Sequence, residues 1–271
     1  PMADFAIRKG LEAMEEYSVE HVAADIIVNA NESNYEMPEA VRQAVLERTQ
    51  SFPFNRYPPI KSENLCEAIA QELDLDIANV KIGNGSSELL QVACYVFGGY
   101  GKKIAVPYPS FSMYGEYATL SDSVAAPYPL TEEGYVDPDV VIEFCERERP
   151  ALLIVCNPNN PTGALYPKEI LEKIVDIARK NELIIFSDEI YDRLLLENVP
   201  FVSTATLSEK VLCVTFNGLS KSHIVCGWRS GWSVLSGPEE KKHLLREGLM
   251  KLASMRLCAG ALPQLAIAAA L

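Results

Sequence analysis

The sequence predicts an α/β fold, a mostly parallel sheet flanked by helices, on three observations. The runs ALLIVC (151–156), ELIIF (182–186) and KVLCVTF (210–216) are apolar without alternation, as strands buried on both faces are. Each run gives way to a stretch carrying Gly, Asn, Pro or Asp, where α/β proteins place ligands. Between the first two lies PKEILEKIVDIARKN, whose Ile170, Leu171, Ile174, Val175 and Ile177 form one helical face. Strands separated by crossovers of this kind pair in parallel.

Taken in order, DFAIRKGLEAMEEY reads as a helical start, followed by a short apolar run over 25–29 and the polar turn NANESNYEMP. A helix is predicted over 38–49, with Pro38 in its first turn. The prolines of FNRYPPIKSENL then force extended backbone, so Tyr57 lies on a stiff, exposed connection. An amphipathic helix follows over 62–73. VKIGNGSSELLQVACYVFG (80–98) is an apolar lead, a glycine turn and an apolar helix. There Gly83 and Gly85 permit close backbone approach, and Ser86, Ser87 and Glu88 open a helix whose free amides suit a phosphate. Alone, this stretch reads as an ordinary capped helix before it reads as a phosphate cradle, since it lacks the P-loop lysine and a full GxGxxG.

A buried strand over 103–106 runs into a proline-rich loop with Phe111 and Tyr114, either core aromatics or flat rings for stacking on a ligand. The strand over 151–156 enters NPNNPTG, stiffer than a connection requires. The strand over 182–186 delivers SDEIY, with Asp188 at its carboxyl end and Tyr191 three residues on. The strand over 210–216 leads to Lys221, and Arg229 follows eight residues later. Further elements are a strand over 231–235, a long helix over 238–255 and an apolar helix from Ala259.

Composition narrows the function classes. With 271 residues the chain fits one large α/β domain or two smaller units, and 48% hydrophobic with 23% charged residues argues against disorder. A net charge of −13, from 24 basic and 37 acidic residues, disfavours nucleic acid and anionic membranes. Any anionic ligand then needs a local cationic site. No apolar run is long enough to span a bilayer, and no signal peptide is visible. Seven scattered cysteines without a CxxC pair suit a reducing compartment, so a cytoplasmic protein is expected. His21, His223 and His243 have no metal-ligand spacing, and no metal site is expected.

Four loops thus converge on one strand edge: GNGSS, NPNNPTG, SDEIY, and GLSK with its arginine at plus eight. Together they resemble the fold-type I pyridoxal-phosphate enzymes, specifically the class I/II aminotransferases. The resemblance implies pyridoxal 5'-phosphate as cofactor and a role for each residue. Lys221 is the Schiff-base lysine and proton carrier, and Asp188 pairs with the protonated ring nitrogen. Asn160 and Tyr191 donate to the phenolic oxygen, and Phe111 stacks on the ring. Gly85, Ser86, Ser87, Ser220 and Arg229 hold the phosphate. Tyr57 reaches the phosphate of a neighbouring subunit, which implies a homodimer, and Asn160–Pro161 is expected to be cis.

NANESNY, NRYPP, GNGSSELL and PSFSMY look like histidinol-phosphate aminotransferases, whereas SDEIYDRLL, FNGLSK and MKLASMRLC resemble the alanine and aromatic branch. The expected reaction moves an amino group between an L-amino acid or histidinol phosphate and a 2-oxo acid such as 2-oxoglutarate, in amino-acid biosynthesis. Alternatives are a decarboxylase or C–S lyase of the same fold, or a cofactor-binding fragment without turnover. The resemblance divides the chain into an N-terminal segment (1–35) associated with a small domain or the dimer partner, a cofactor-binding large domain (36–258), and the start of a helix (259–271). That helix is expected to lead to a C-terminal small domain absent from this sequence, where relatives carry the arginine that binds the substrate carboxylate. One departure stands out: many relatives have Ser or Thr three residues before the lysine, and here that position is Gly218.

Overall fold

The computed structural model describes residues 10–12, 14, 16, 18, 23–196 and 198–270. Most of the helix expected at 4–17 lies outside the described residues. One seven-stranded sheet organises the rest, in the order β1-β7-β6-β5-β4-β2-β3. Its strands are β1 Val80–Gly83, β2 Lys103–Tyr108, β3 Val124–Pro129, β4 Leu152–Cys156, β5 Ile184–Asp188, β6 Cys213–Gly218 and β7 Gly231–Ser236. The β3–β2–β4–β5–β6 pairs are parallel, and β7 runs antiparallel to both β6 and β1. The expected mostly parallel, helix-flanked sheet is what forms.

The unbroken apolar runs follow from burial on both faces. Leu152, Ile154 and Cys156 pack with Phe186, Val214 and Phe216 on one face, while Leu153, Val155, Ile185 and Cys213 pack on the other. Helices α5 Pro138–Glu148 and α6 Lys168–Lys180 cover that second face with Val141, Phe144, Leu171 and Ile174. Helices α3 Ser86–Phe97, α4 Met113–Leu120 and α8 Glu239–Ala253 cover the first, with Leu89, Leu90, Tyr114, Tyr117 and Leu245. Each fully buried side chain of this size contributes about 1.5–3 kcal/mol through the area it removes from water. A third cluster joins α2 Glu63–Glu72 and α9 Ala261–Ala270 to the β1–β7 edge, where Ile267 of α9 is fully buried, and α1 Glu39–Gln50 lies against α9.

Three elements between residues 113 and 148 were not anticipated. Pro127 and Pro129 mask β3, which tolerates them because it pairs only with β2 at the sheet edge. Helix α4 is short and includes Gly115. Helix α5 does carry a start signal, Asp137 accepting from the Asp139 amide (3.0 Å) ahead of Pro138. The apolar run over 25–29 forms no strand, and Ile26 and Val28 are 79% and 80% exposed.

Register sets up the site. Cys156, Asp188 and Phe216 are Cα partners across β4, β5 and β6, so β4 and β5 end level, β6 runs on to Gly218, and their loops open at one edge.

Candidate active site

Asp188 closes β5 and is buried. Its Oδ2 accepts from the Tyr114 hydroxyl at 2.7 Å and its Oδ1 from the Ile190 amide at 3.3 Å. Burial pushes its pKa up to about 6, and these two hydrogen bonds hold it below what burial alone would give. The carboxylate is therefore mainly charged at neutral pH although buried.

Lys221 stands on the single turn α7 Leu219–Ser222 that follows β6. Its Nζ donates to the carbonyls of Asn31 (2.8 Å) and Ala30 (3.3 Å) and lies 6.0 Å from the Tyr191 ring centroid. Burial pushes its pKa down and Arg229 adds to that, against the pull of Cys226 and Glu32. A larger fraction of this amine is consequently unprotonated than for a surface lysine.

The anion end of the site is built from backbone. Gly85, with φ +82°, precedes α3 and provides no side-chain cap, leaving the first amides of the helix open. A Cβ at Gly85 would sit 2.7 Å from Arg229 Nη2, so only glycine lets the guanidinium reach this helix end. Arg229 itself has φ 51° after the turn Cys226–Trp228, and its Nη1 donates to the Cys226 carbonyl at 3.0 Å.

The NPNNPTG loop is stiffened by hydrogen bonds. The Asn157 amide donates to the Asp188 carbonyl (3.0 Å) and Asn157 Oδ1 accepts from the Tyr166 amide (2.8 Å). Asn159 Oδ1 accepts from the amide and hydroxyl of Thr162, and Asn159 Nδ2 donates to Ser110. Asn160–Pro161 is cis as expected, and so are Asn157–Pro158 and Tyr108–Pro109.

These pieces enclose a cavity of about 540 Å³. Ser86, Ser87, Phe111, Asn160, Asp188, Tyr191, Ser220, Lys221 and Arg229 line it, and Gly85 backs it against Arg229. Tyr57 is not among the lining residues and is 79% exposed. Sequence reasoning offered Tyr114 beside Phe111 as a core or stacking aromatic and missed its hydrogen bond to Asp188 in the cavity wall. It also missed the wall formed by Asn29, Ala30 and Asn31, where Asn31 Nδ2 donates to the Tyr191 hydroxyl at 3.0 Å. No local signal marks that wall, because the contact spans 160 residues. Among the described residues no cluster of His, Cys, Asp and Glu has a metal-binding arrangement.

The family Aminotransferase class I and II matches residues 24–271. The chain belongs to that family. This aminotransferase-family chain is 43% identical over 199 residues to the glutamate-pyruvate aminotransferase AlaA of Escherichia coli K12, covering 73% of this chain and 49% of that protein. It is 39% identical over 197 residues to the alanine aminotransferase of Mycobacterium tuberculosis, covering 72% and 46%. A histidinol-phosphate aminotransferase of Thermoanaerobacter pseudethanolicus is 30% identical over 233 residues, 86% of this chain and 64% of that protein. An Escherichia coli aminotransferase structure superposes with a TM-score of 0.79 at 35% identity, over 86% of this chain and 59% of that one. The chain thus spans about half the length of the first two relatives.

Class I and II aminotransferases use pyridoxal phosphate, and the site fits that group. An uncapped helix end and a guanidinium suit its phosphate, a buried carboxylate suits its ring nitrogen, and a lysine of lowered pKa suits its aldehyde.

Proposed function

We propose that the protein is a pyridoxal-phosphate-dependent aminotransferase that exchanges an amino group between a small L-amino acid and a 2-oxo acid, with glutamate and pyruvate as the leading pair. The convergence of Lys221, Asp188 and Arg229 on one cavity carries this reading. Bound cofactor supplies a ring that spreads the negative charge left when a substrate carbon loses its proton. The chain does the rest. Ser86, Ser87, Ser220 and Arg229 bind the phosphate, and Asp188 pairs with the ring nitrogen. Phe111 packs on the ring face while Asn160 and Tyr191 orient its oxygen. Lys221 would take and return the proton at the substrate carbon. Support for the substrate pair is the 43% and 39% identity to the two alanine-forming relatives, against 30% for the histidinol-phosphate one.

We further assign residues 36–258 to the cofactor-binding domain and read the protein as a cytoplasmic homodimer. Seven free thiols, five of them buried, support the compartment. Tyr57, outside the lining of its own cavity and exposed, is the residue offered to the partner's phosphate.

The test is cofactor capture. Pyridoxal phosphate followed by borohydride should leave a stable adduct on Lys221, and Lys221→Ala should leave none; an adduct surviving that change refutes the assignment. With glutamate and pyruvate, equal amounts of alanine and 2-oxoglutarate are expected. Carbon dioxide released from glutamate, or a thiol released when a sulfur-containing amino acid is supplied in its place, would instead establish a lyase.

A further inference from the structure

Tyr114 is a polar side chain of the cavity wall that touches two of the groups expected to hold the cofactor ring. Its hydroxyl donates to Asp188 Oδ2 at 2.7 Å. Its ring meets Phe111 edge to face, 5.5 Å between centroids at 86°. It is 1% exposed, and its own backbone is tied to the same turn, the Tyr114 amide donating to the Phe111 carbonyl at 3.2 Å. Phe111 approaches from the loop after β2 and Asp188 from the end of β5, and this side chain ties the ring to the carboxylate.

We propose that Tyr114 is a positioning residue, whose hydroxyl and ring edge hold the Asp188 carboxylate and the Phe111 ring in one mutual orientation and so set how tightly a flat cationic heteroaromatic ring seats between them. The ring's identity as a pyridinium rests on the cofactor reading above; the tyrosine–carboxylate link does not. Two features support the role. Burial, then the neighbouring Asp188, pushes the phenol pKa well above 10, so the hydroxyl stays a donor throughout the working pH range. Asp188 Oδ1 has only the longer 3.3 Å bond from the Ile190 amide, leaving accepting capacity for a ligand.

Tyr114→Phe keeps the ring edge and removes the hydroxyl. In the cofactor-free protein, carboxyl NMR should show the Asp188 midpoint, about 6 in the native chain, rising by about one pH unit. Pyridoxal phosphate affinity, read by quenching of tryptophan fluorescence, should fall about tenfold for the loss of one charged hydrogen bond. In an Asp188→Asn background the same substitution should change affinity by less than about twofold, because the two residues act as one unit. Incorporating 3-fluorotyrosine at position 114, which keeps the shape and strengthens the donor, should move the Asp188 midpoint down. An unmoved midpoint in both variants, or an equal affinity loss with Asn at 188, overturns the proposal. A native protein that binds no pyridoxal phosphate, yet shows the midpoint shift, supports the hydroxyl–carboxylate link and overturns the cofactor reading instead.

Discussion

Two buried carboxylates stand side by side at the end of β5 and serve different purposes. Asp188 faces the cavity, whereas Glu189 lies beneath the turn Thr204–Leu207, accepting at Oε1 from Ser187 Oγ (2.7 Å), Ser203 Oγ (3.1 Å) and the Thr204 amide (3.0 Å). Burial raises the Glu189 pKa from 4.5 to about 7, and these bonds only partly offset it. A carboxyl that binds its proton more tightly when folded costs stability as pH rises, here between about 4.5 and about 7. Glu189→Gln keeps an accepting oxygen without the charge. Urea denaturation should therefore find the variant more stable than native protein by about 1–3 kcal/mol at pH 8, with no difference near pH 4. An equal offset at both pH values would show that packing, not charge, is responsible. Asp188 has the opposite consequence for ligand binding. As pH falls through about 6 it loses the charge that a ring N–H needs, so cofactor affinity should drop about tenfold per pH unit below that point. Fluorescence titration from pH 5 to 8 checks this, and Asp188→Asn should abolish the limb.

At the scale of elements, the site depends on the close approach of β6 and β7 to the start of α3. Gly218 and Gly231 are Cα partners, and a Cβ at 218 would meet the Ser230 carbonyl oxygen at 2.6 Å and the Gly231 Cα at 2.9 Å. There is accordingly no room at 218 for a side-chain hydroxyl. A Cβ at Gly231 would run into the Ser86 amide nitrogen, one of the groups expected to hold the phosphate. Gly231→Ala should cost about 1–3 kcal/mol of stability by urea denaturation. The same variant should weaken cofactor binding about tenfold or more through displacement of that helix end. A destabilised variant with native cofactor affinity would separate the contact from the site. This arrangement also explains which parts of the molecule were legible. Strands β4, β5 and β6 declared themselves because burial on both faces leaves no alternation to confuse, and α6 because Leu171, Ile174 and Val175 form an unbroken stripe. Loops such as NPNNPTG were legible because rigid chemistry needs unusual residues. Contacts made by glycine's missing Cβ, or by the carbonyls of Ala30 and Asn31 on a lysine 190 residues away, carry no local residue signature at all.

For the whole molecule, a protein of net charge −13 places Lys221 and Arg229 around one cavity, so the site rather than the overall field must recruit an anionic cofactor. The same chain leaves Ile26, Val28 and Tyr57 at 79%, 80% and 79% exposure, apolar surface that a partner would cover. If a second copy covers it, with each Tyr57 reaching the other's phosphate, the sites are shared and hybrids reveal the sharing. A Tyr57→Ala dimer has both lysines but weakened cofactor sites, by about tenfold for a lost hydrogen bond to a charged group. A Lys221→Ala dimer has both tyrosines and forms no covalent adduct. Mixed subunits contain one site with its own Lys221 and the partner's Tyr57, and a second site lacking both. Exchanging the two variants should therefore restore native affinity and borohydride trapping at one site per hybrid dimer, measured by mass spectrometry of the separated species. If Tyr57 instead serves its own chain, or the protein stays monomeric, no mixture regains a native site and the shared-site reading fails.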